Sequence, residues 1–485
     1  MTKQPQTDGP SGHVSAETER ALRDYVRAAV SRLSEAPNIP APEWEAGSTD
    51  QTPMWEADSG WERGTDGHFR KYAKRPRRWL LISNEWLRSV SEYDTCVEQL
   101  RCDPVVGPQL DRMVGTNLSA SSLEADGILL SLIHGMLEGN LAYTDERFER
   151  EWRELADFLG ADRIAVKMVA PLPHLVLPAF PLRLSDELVL DRLTDDEVTR
   201  CCQVSVLRPD SPRFPLIIAE DAVGVRRTMF LPKLIRTIGE AREPREVRDE
   251  GSFGRRSPGQ DALVVDDVLS ALRLFKKTQI RAAGYAAWTD SPLVNTGTLS
   301  RVLGQWPYGG QFALSEGEVP QFLELWRLLE EGGARFGFSI RRFSLAFDRG
   351  LAFDRIVDLV ISAESLFLGD HGVQDRGELR FRFALRAAKF IEHPVYGERD
   401  VYRVMRRAYD VRSTIVHGGS PEDTRLPDDQ HAKVPAFIDS IEEIVRLGLR
   451  KGLSMKHDAQ ELRKAEYWED LLLLSTPNQS LAPGA

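Results

Sequence analysis

Cysteine and long apolar runs are both scarce in this sequence. Four cysteines in 485 residues exclude a disulfide scaffold and fit a reducing, cytoplasmic compartment. The polar N-terminus, residues 1–13, lacks the apolar core of a signal peptide, so no secretion signal is expected there. No stretch of about 18 uninterrupted apolar residues occurs, so neither a membrane-spanning helix nor a membrane partner is expected.

Positive charge is also in short supply over the whole chain. The 63 basic and 74 acidic residues give a net charge of −11. A chain of this charge repels nucleic acid on average, so a phosphate-bearing partner would need a local basic patch.

Common catalytic motifs are missing. The sequence has no GxxxxGK(S/T) phosphate loop, no GxSxG nucleophile elbow and no HExxH zinc helix. Cys96 and Cys102 lack the usual spacing of zinc ligands and Cys201 and Cys202 are adjacent, which favours buried or idle thiols over a metal site. Residues 1–315 therefore carry no chemistry that the sequence can name, and no metal or cofactor is expected.

Hydrophobic periodicity predicts an α+β protein with four consecutive regions. Residues 1–67 are expected to be disordered or linker-like, with one amphipathic helix at 15–35 that is capped by Ser15. Residues 68–160 are expected to be mainly helical, with helices near 83–101, 120–138 and 144–159. Short Pro-bounded apolar runs predict a mixed α/β region at 161–315, a candidate sensor. Residues 316–485 are expected to form an all-α helical bundle.

Three helices are predicted in the segment 340–420, which is the most informative part of the chain. Asp354 is a suitable N-cap for the first, which would run to Leu368 with Ile356, Leu359, Val360, Ala363 and Phe367 buried. The second is expected from Glu378 to Glu392. The third would run from Arg399 to His417, where Gly418 and Gly419 would stop it.

The same segment departs from the charge balance of the chain. Residues 375–417 contain ten Arg or Lys and six Asp or Glu, a net of +4. Arg382, Arg386 and Lys389 recur at i, i+4 and i+7 and would form one basic stripe on the second helix. This stripe is a candidate for binding an anionic substrate, and the alternative is an ordinary solvated face.

Arg412 and His417 are the candidate catalytic pair. Histidine can accept and donate a proton near neutral pH, and the planar guanidinium suits a phosphate oxygen. Five residues of α-helix separate the two side-chain directions by about 140°, so one substrate would have to span the helix end, or a second subunit would complete the site. The alternative is structural: Arg412 pairs with Asp410 or Glu364, and His417 caps the helix.

Several blocks of sequence, in order, resemble an Apea-like HEPN domain, a higher-eukaryote and prokaryote nucleotide-binding domain. They are RRFSLAFDRGLAFDRIVDLVISAESLFLG, ELRFRFALRAAKFI and AYDVRSTIVHGG, and the resemblance covers roughly residues 316–450. The family fold is an up-and-down helical bundle that commonly dimerises. The resemblance implies the roles of four residues. The Arg-x(4–6)-His ribonuclease motif of the family maps onto Arg412 and His417, and its acidic position maps onto Glu364, so all three are expected to be catalytic. Many family ribonucleases carry Asn, Asp or His directly after the motif arginine. This chain has Ser413 there, which can still donate a hydrogen bond and is expected to bind substrate.

The resemblance implies a metal-independent, cofactor-free endoribonuclease in which the RNA 2′-hydroxyl is the nucleophile. It also implies a homodimer formed through the C-terminal bundle, and a toxin-like or anti-phage defence effector that responds to a phage or cellular trigger. Two alternatives stay open: a non-catalytic nucleotide-binding or dimerisation module, and a separate activity in the N-terminal regions. Arg412 and His417 accessible along a shared basic groove would favour the nuclease, whereas burial of both within one subunit would favour the module.

Overall fold

The computed structural model describes twenty segments of the chain. They are residues 13–35, 54–58, 61–63, 69–71, 75–82, 84–116, 120–136, 142–172, 174–194, 197, 201, 223–238, 253, 261–282, 284–289, 293, 299–302, 312–370, 378–419 and 434–473. Two compact units are present, each assembled from non-consecutive segments. The first comprises residues 1–173, 185–246 and 283–304, and the second comprises residues 174–184, 247–282 and 305–485. Helices and strands are both present, so the predicted α+β class is confirmed.

Five helices of the first unit lie within the described segments. They are α1 (Ala16–Glu35), α2 (Asn84–Arg88), α3 (Tyr93–Cys102), α4 (Ala125–Gly135) and α5 (Asp145–Gly160). As predicted, Ser15 caps α1: its hydroxyl accepts a hydrogen bond from the backbone N–H of Thr18 at 3.2 Å. Helix α1 packs against α3 and α4, and α4 packs against α5. Their shared core includes Leu22, Leu100 and Phe148, all fully buried, and each such side chain contributes about 1.5–3 kcal/mol.

The strands of the first unit pair in antiparallel fashion. Strand β1 (Met54–Asp58) pairs with β4 (Arg75–Leu81), and β2 (Trp61–Arg63) pairs with β3 (Phe69–Lys71). A second group places β5 (Arg112–Gly115) between β6 (Ala120–Leu123) and β12 (Leu234–Arg236). Five strands of the largest sheet belong to this unit, in the order β14 (Leu299–Val302), β13 (Gly284–Thr289), β7 (Arg163–Pro171), β11 (Val223–Pro232) and β10 (Leu188–Arg192). The long pair β7–β11 sets its register, with Val166 opposite Met229.

The second unit is built around helices. They are α6 (Asp261–Phe275), α7 (Val319–Gly332), α8 (Gly337–Ala346), α9 (Ala352–Phe367), α10 (Leu379–Phe390), α11 (Glu398–Val416), α12 (Val434–Ser454) and α13 (Ala465–Leu473). Short strands β8 (Leu175–Val176) and β15 (Phe312–Ala313) pair in parallel, and β9 (Leu182–Arg183) also belongs to this unit. Helix α9 is central and packs against α8, α11 and α12, while α10 packs along α11. These contacts place α9 and α11, the helices that carry the candidate site, side by side.

Helix α6 belongs to the second unit, although the sequence groups it with the mixed region 161–315. Its Arg273, fully buried, donates to the Ser344 carbonyl at 2.8 Å and pairs with Asp348 at 3.0 Å. The Nε of Arg446 in α12 donates to the Arg273 carbonyl at 2.9 Å. Sequence periodicity identified the helix but not these partners, which lie 71 to 173 positions further along the chain.

Elements near the N-terminus differ from their prediction. Strands β1 and β2 lie inside the predicted linker 1–67, and the predicted helix 120–138 begins as strand β6. The predicted helix 83–101 is split into α2 and α3. Between them, the Ser89 hydroxyl donates to the Trp86 carbonyl at 2.6 Å, and serine hydroxyls compete in this way with the hydrogen bonds that continue a helix.

Candidate functional site

Helix α9 supplies the acidic side of the candidate site. It begins at Ala352, two residues before the predicted cap, so Asp354 lies in the first turn, where a carboxylate still complements the helix dipole. The predicted stripe is confirmed: Ile356, Leu359, Val360, Ala363 and Phe367 are all fully buried. Because these residues fix the rotation of α9, the direction of every other side chain on the helix is also fixed.

Beyond its first turn, α9 carries two carboxylates, and both are paired. Asp358 is buried and receives hydrogen bonds from Arg342 at 2.9 Å and from Arg349 at 2.5 Å. Glu364 lies nearly two turns further on, and its partner is Arg412 of α11. Asp358 thus joins α9 to the segment that precedes it, while Glu364 joins α9 to the helix with the predicted motif.

The Glu364–Arg412 ion pair is the centre of the candidate site. The Arg412 Nη2 and Glu364 Oε2 atoms are 3.3 Å apart, and about a quarter of the Arg412 side chain and a fifth of the Glu364 side chain remain exposed. The Nε of Arg412 is buried and has no hydrogen-bond partner among the described residues. The pair is therefore mostly buried, and about a quarter of the Arg412 side chain remains accessible at the surface.

Burial sets the protonation behaviour of Glu364. Desolvation raises the pKa of its carboxyl above the ordinary value of 4.5, and the nearby Arg412 only partly offsets this effect. Removal from water disfavours the charged form of a carboxyl, whereas an adjacent cation favours it. Glu364 is thus easier to protonate than an ordinary surface glutamate.

His417 lies where α11 ends, as the sequence predicted. Its backbone N–H donates to the Ser413 carbonyl at 3.1 Å, and Gly418 follows with a φ of +83°. Glycine suits this left-handed position because it has no Cβ to clash with the backbone. The His417 side chain is exposed and that of Ser413 is partly exposed, so both can be reached by a substrate at the end of α11.

The structure gives a mixed answer on the accessibility of the predicted pair. His417 is exposed, whereas Arg412 is about three-quarters covered and pairs with Glu364, one of its two predicted structural partners. The two residues are neither both free nor both buried. Their helical spacing still points them in directions about 140° apart.

The three residues of the predicted basic stripe of α10 all lie near carboxylates of the protein, and one of them is buried. Arg386 is buried. Its guanidinium donates hydrogen bonds to the Asp370 carboxylate at 2.7 and 3.0 Å and to the Phe367 carbonyl at 2.9 Å. Arg382 lies 4.0 Å from the same carboxylate, and Lys389 pairs with Glu398 at 2.8 Å. Arg386 cannot contact a substrate in this structure, so its assignment as a substrate-binding residue is corrected: it is an interior residue that holds Asp370.

Tyr409 is a site residue that the sequence reasoning missed. Its ring packs on Phe383, with 5.5 Å between ring centroids. Its pKa is raised, first by burial and next by the charge of Glu364, while Arg412 acts in the opposite direction. Tyr409 lies three residues before Arg412 on α11, so the i, i+3 rule could have placed it beside the motif arginine.

Neither a metal-binding cluster nor a membrane-spanning helix is found among the described residues. No three His, Cys, Asp or Glu side chains among them are grouped so that they could hold a metal ion. Within the same segments, each helix is too short or too polar to cross a membrane.

Comparison with known proteins identifies neither a family nor a fold relative for this chain. Neither the family models, nor the curated proteins, nor the solved structures gave a match to this chain.

Proposed function

We propose that this chain is a metal-independent endoribonuclease of the HEPN type. The observation that carries the proposal is the pairing of two candidate residues across adjacent helices, with the third candidate at the end of one of these helices. Glu364 and Arg412 pair across α9 and α11 at 3.3 Å, and the exposed His417 ends the same helix that carries Arg412. The resemblance of residues 316–450 to the family names these same three positions.

The chemistry requires one base, one acid and one cation. His417 takes the proton from the RNA 2′-hydroxyl, whose oxygen forms a bond to the adjacent phosphorus. The bond from phosphorus to the 5′-oxygen breaks, and that oxygen receives a proton from a protonated histidine. Arg412 stabilises the negative charge that develops on the phosphoryl oxygens. The products are a 2′,3′-cyclic phosphate and a 5′-hydroxyl, and the balance requires no water, metal or cofactor.

Glu364 serves this reaction as a positioning residue. Its carboxylate holds the Arg412 guanidinium against α9, so that the remaining donors of the guanidinium point in a fixed direction. Protonation of Glu364 would weaken this hold. Ser413 contributes a hydroxyl at the position where many related ribonucleases carry Asn, Asp or His.

A homodimer through the helical unit would complete the site. One histidine cannot be both the base and the already protonated acid in a single step, and two copies of His417 supply both. Pairing would also bring Arg412 of one copy towards His417 of the other, which resolves the 140° divergence within a single helix. The remainder of the chain then acts as the sensor of a defence effector, and it releases the nuclease when its trigger binds.

One observation favours a second candidate, a non-catalytic binding or dimerisation module. Arg412 already has an intramolecular partner in Glu364, and the pair joins α9 to α11. In that case, Arg412 holds the bundle together and His417 only ends the helix. Loss of Arg412 would then lower stability without changing any cleavage rate.

The test is cleavage of RNA by purified protein in excess EDTA. His417→Ala should lower the rate by about 10²–10⁴-fold, the usual contribution of a general acid or base. His13→Ala is the matched control, because His13 is also exposed and has no role in the proposal. Equal cleavage by both variants would refute the proposed site. Cleavage by none of the proteins, together with equal toxicity of wild type and His417→Ala in cells, would favour the binding module.

A further inference from the structure

Helix α11 carries a second basic face that the sequence prediction did not single out. Arg399, Arg403 and Arg406 are all exposed, and they fall at i, i+4 and i+7. At 100° per residue, these three residues, Ser413 and His417 all lie within an arc of about 80° on one side of the helix. From Arg399 to His417 the face extends about 27 Å at 1.5 Å per residue. It therefore forms one continuous surface that leads to the candidate base.

The charges on this face are not consumed by internal ion pairs. Arg399 and Arg406 have no ion-pair partner in the part of the chain that the structure describes, and Arg403 lies 3.8 Å from Asp400. The acidic residue within the face, Asp410, is neutralised by Arg380 at 2.8 Å. In a chain with a net charge of −11, exposed arginines aligned on one helix face, two of them without an ion-pair partner among the described residues, are suited to an anionic polymer.

An aromatic pair, one ring exposed and the other partly buried, borders the same face. Phe381 of α10 is 48% exposed and makes an edge-to-face contact with Tyr402 of α11, with 6.2 Å between ring centroids. Tyr402 lies directly before Arg403 and one turn from Arg406. Bases of single-stranded nucleic acid stack on such exposed rings, whereas bases inside a duplex are already stacked on each other.

We propose that this α11 face, defined by Arg399, Arg403, Arg406, Tyr402 and Phe381, binds single-stranded RNA and guides it to His417. The arginines contact consecutive phosphates, and a base stacks on Phe381. The choice of RNA as the occupant rests on the proposed ribonuclease function. The arrangement of charge and aromatic rings is independent of whether His417 is a catalyst.

The test measures binding separately from cleavage. The probe is a fluorescein-labelled 2′-O-methyl oligouridylate, which lacks the nucleophile and so cannot be cut, and the readout is fluorescence anisotropy with full-length protein at several NaCl concentrations. Arg399→Ala combined with Arg406→Ala should weaken binding at least tenfold. The slope of log affinity against log salt should fall by about 1.4, because each single-strand phosphate contact contributes about 0.7.

A matched control removes the same charge elsewhere. Arg20→Ala combined with Arg101→Ala also removes two exposed arginines, and it should leave the affinity within twofold of wild type. Phe381→Ala should weaken binding at least fivefold through the lost base stacking, yet leave the salt slope unchanged because no phosphate contact is removed. Circular dichroism of each variant verifies that the fold is retained.

Three outcomes would overturn the inference. They are no binding of the probe by wild type, equal loss of affinity in the two arginine double variants, and binding of a duplex of the same length as tightly as the single strand. Failure of the proposed function gives a different pattern. In that case, His417→Ala and wild type would cleave RNA equally, while the α11 face variants would still lose probe binding.

Discussion

Helices α10 and α11 both present basic residues at helical spacing, but they use them differently. On α10, Arg386 is 3% exposed and bound to Asp370, and Lys389 is paired with Glu398. On α11, Arg399 and Arg406 are exposed and have no ion-pair partner among the described residues. Similar sequence patterns therefore have opposite consequences: the α10 arginine stabilises the fold, while the α11 arginines are available to a ligand.

The difference arises from partners that are distant in sequence. Asp370, which binds Arg386, lies in the turn that follows α9, three residues beyond its end and several residues before α10. Helical periodicity reports which residues share a face, but it does not report which acid an adjacent segment brings to that face. A basic stripe in a sequence is therefore evidence of a binding surface only after the neighbouring carboxylates have been located.

The largest expected effect is the loss of stability when the buried arginine of α10 is replaced. Arg386→Ala should lower the free energy of unfolding by about 3–5 kcal/mol, because it removes the cation that donates two hydrogen bonds to a buried carboxylate. Urea unfolding monitored by circular dichroism measures this. Lys389→Ala is the control and should cost less than about 1 kcal/mol, since its ion pair is more exposed.

A double variant distinguishes two causes of the destabilisation by Arg386→Ala, the buried charge of Asp370 and the lost packing of the arginine side chain. Arg386→Ala combined with Asp370→Ala removes the buried carboxylate as well, so it should be less destabilising than Arg386→Ala alone. A double variant that is destabilised by the sum of the two single effects would show that Arg386 and Asp370 are not coupled, and would contradict the assignment of Arg386 as an interior ion-pair residue.

An intermediate effect is expected at Gly418, which ends the α11 face. Gly418→Ala should cost about 1–2 kcal/mol of stability, because an L-residue is strained at a φ of +83°. The added Cβ meets no atom within 4 Å, so backbone strain is the whole cause. Since His417 directly precedes this residue, RNA cleavage should fall as well.

Gly350→Ala is the matched control for this change. Its Cβ would also meet nothing within 4 Å, and its φ is not in the left-handed region. It should leave both stability and cleavage close to wild type. Equal stability of the two variants would argue against strain at Gly418.

The smallest expected effect is a pH dependence that arises from Glu364. Its pKa is raised in the folded protein above 4.5, so its contribution to stability is present below pH 4.5 and is lost as the pH rises through the folded pKa. Glu364→Gln removes this titration. As the pH rises above 4.5, wild type should therefore lose stability relative to Glu364→Gln. The difference in unfolding free energy, variant minus wild type, should increase over this range.

Arg412→Ala tests whether the charge of Arg412 contributes to this pH dependence. Without the cation that partly offsets burial, the pKa of Glu364 should rise further, and the loss of stability should extend to higher pH. Parallel pH profiles for wild type, Glu364→Gln and Arg412→Ala would contradict the coupling between the two helices.

Part of the fold and of the site could be predicted from the sequence, and the limits have physical causes. The ends of α11 and the buried face of α9 follow from apolar spacing and from Gly418, which are local signals. The strands β1 to β4 were missed because they are short and contain charged residues, so they lack the apolar runs that identify strands. The charge of Glu364 predicts it as a partner of Arg412, whereas Tyr409 is neutral, so no charge pattern in the sequence indicates its place beside them.

The central claim is that Arg412 and His417 catalyse attack by the RNA 2′-hydroxyl. The most direct measurement is the chemistry of the 3′ ends left on a defined single-stranded RNA after incubation with wild-type protein in excess EDTA. The account predicts 2′,3′-cyclic phosphate ends that do not appear with His417→Ala. Fragments with 3′-hydroxyl ends, or cyclic phosphate ends formed equally by the variant, would contradict it.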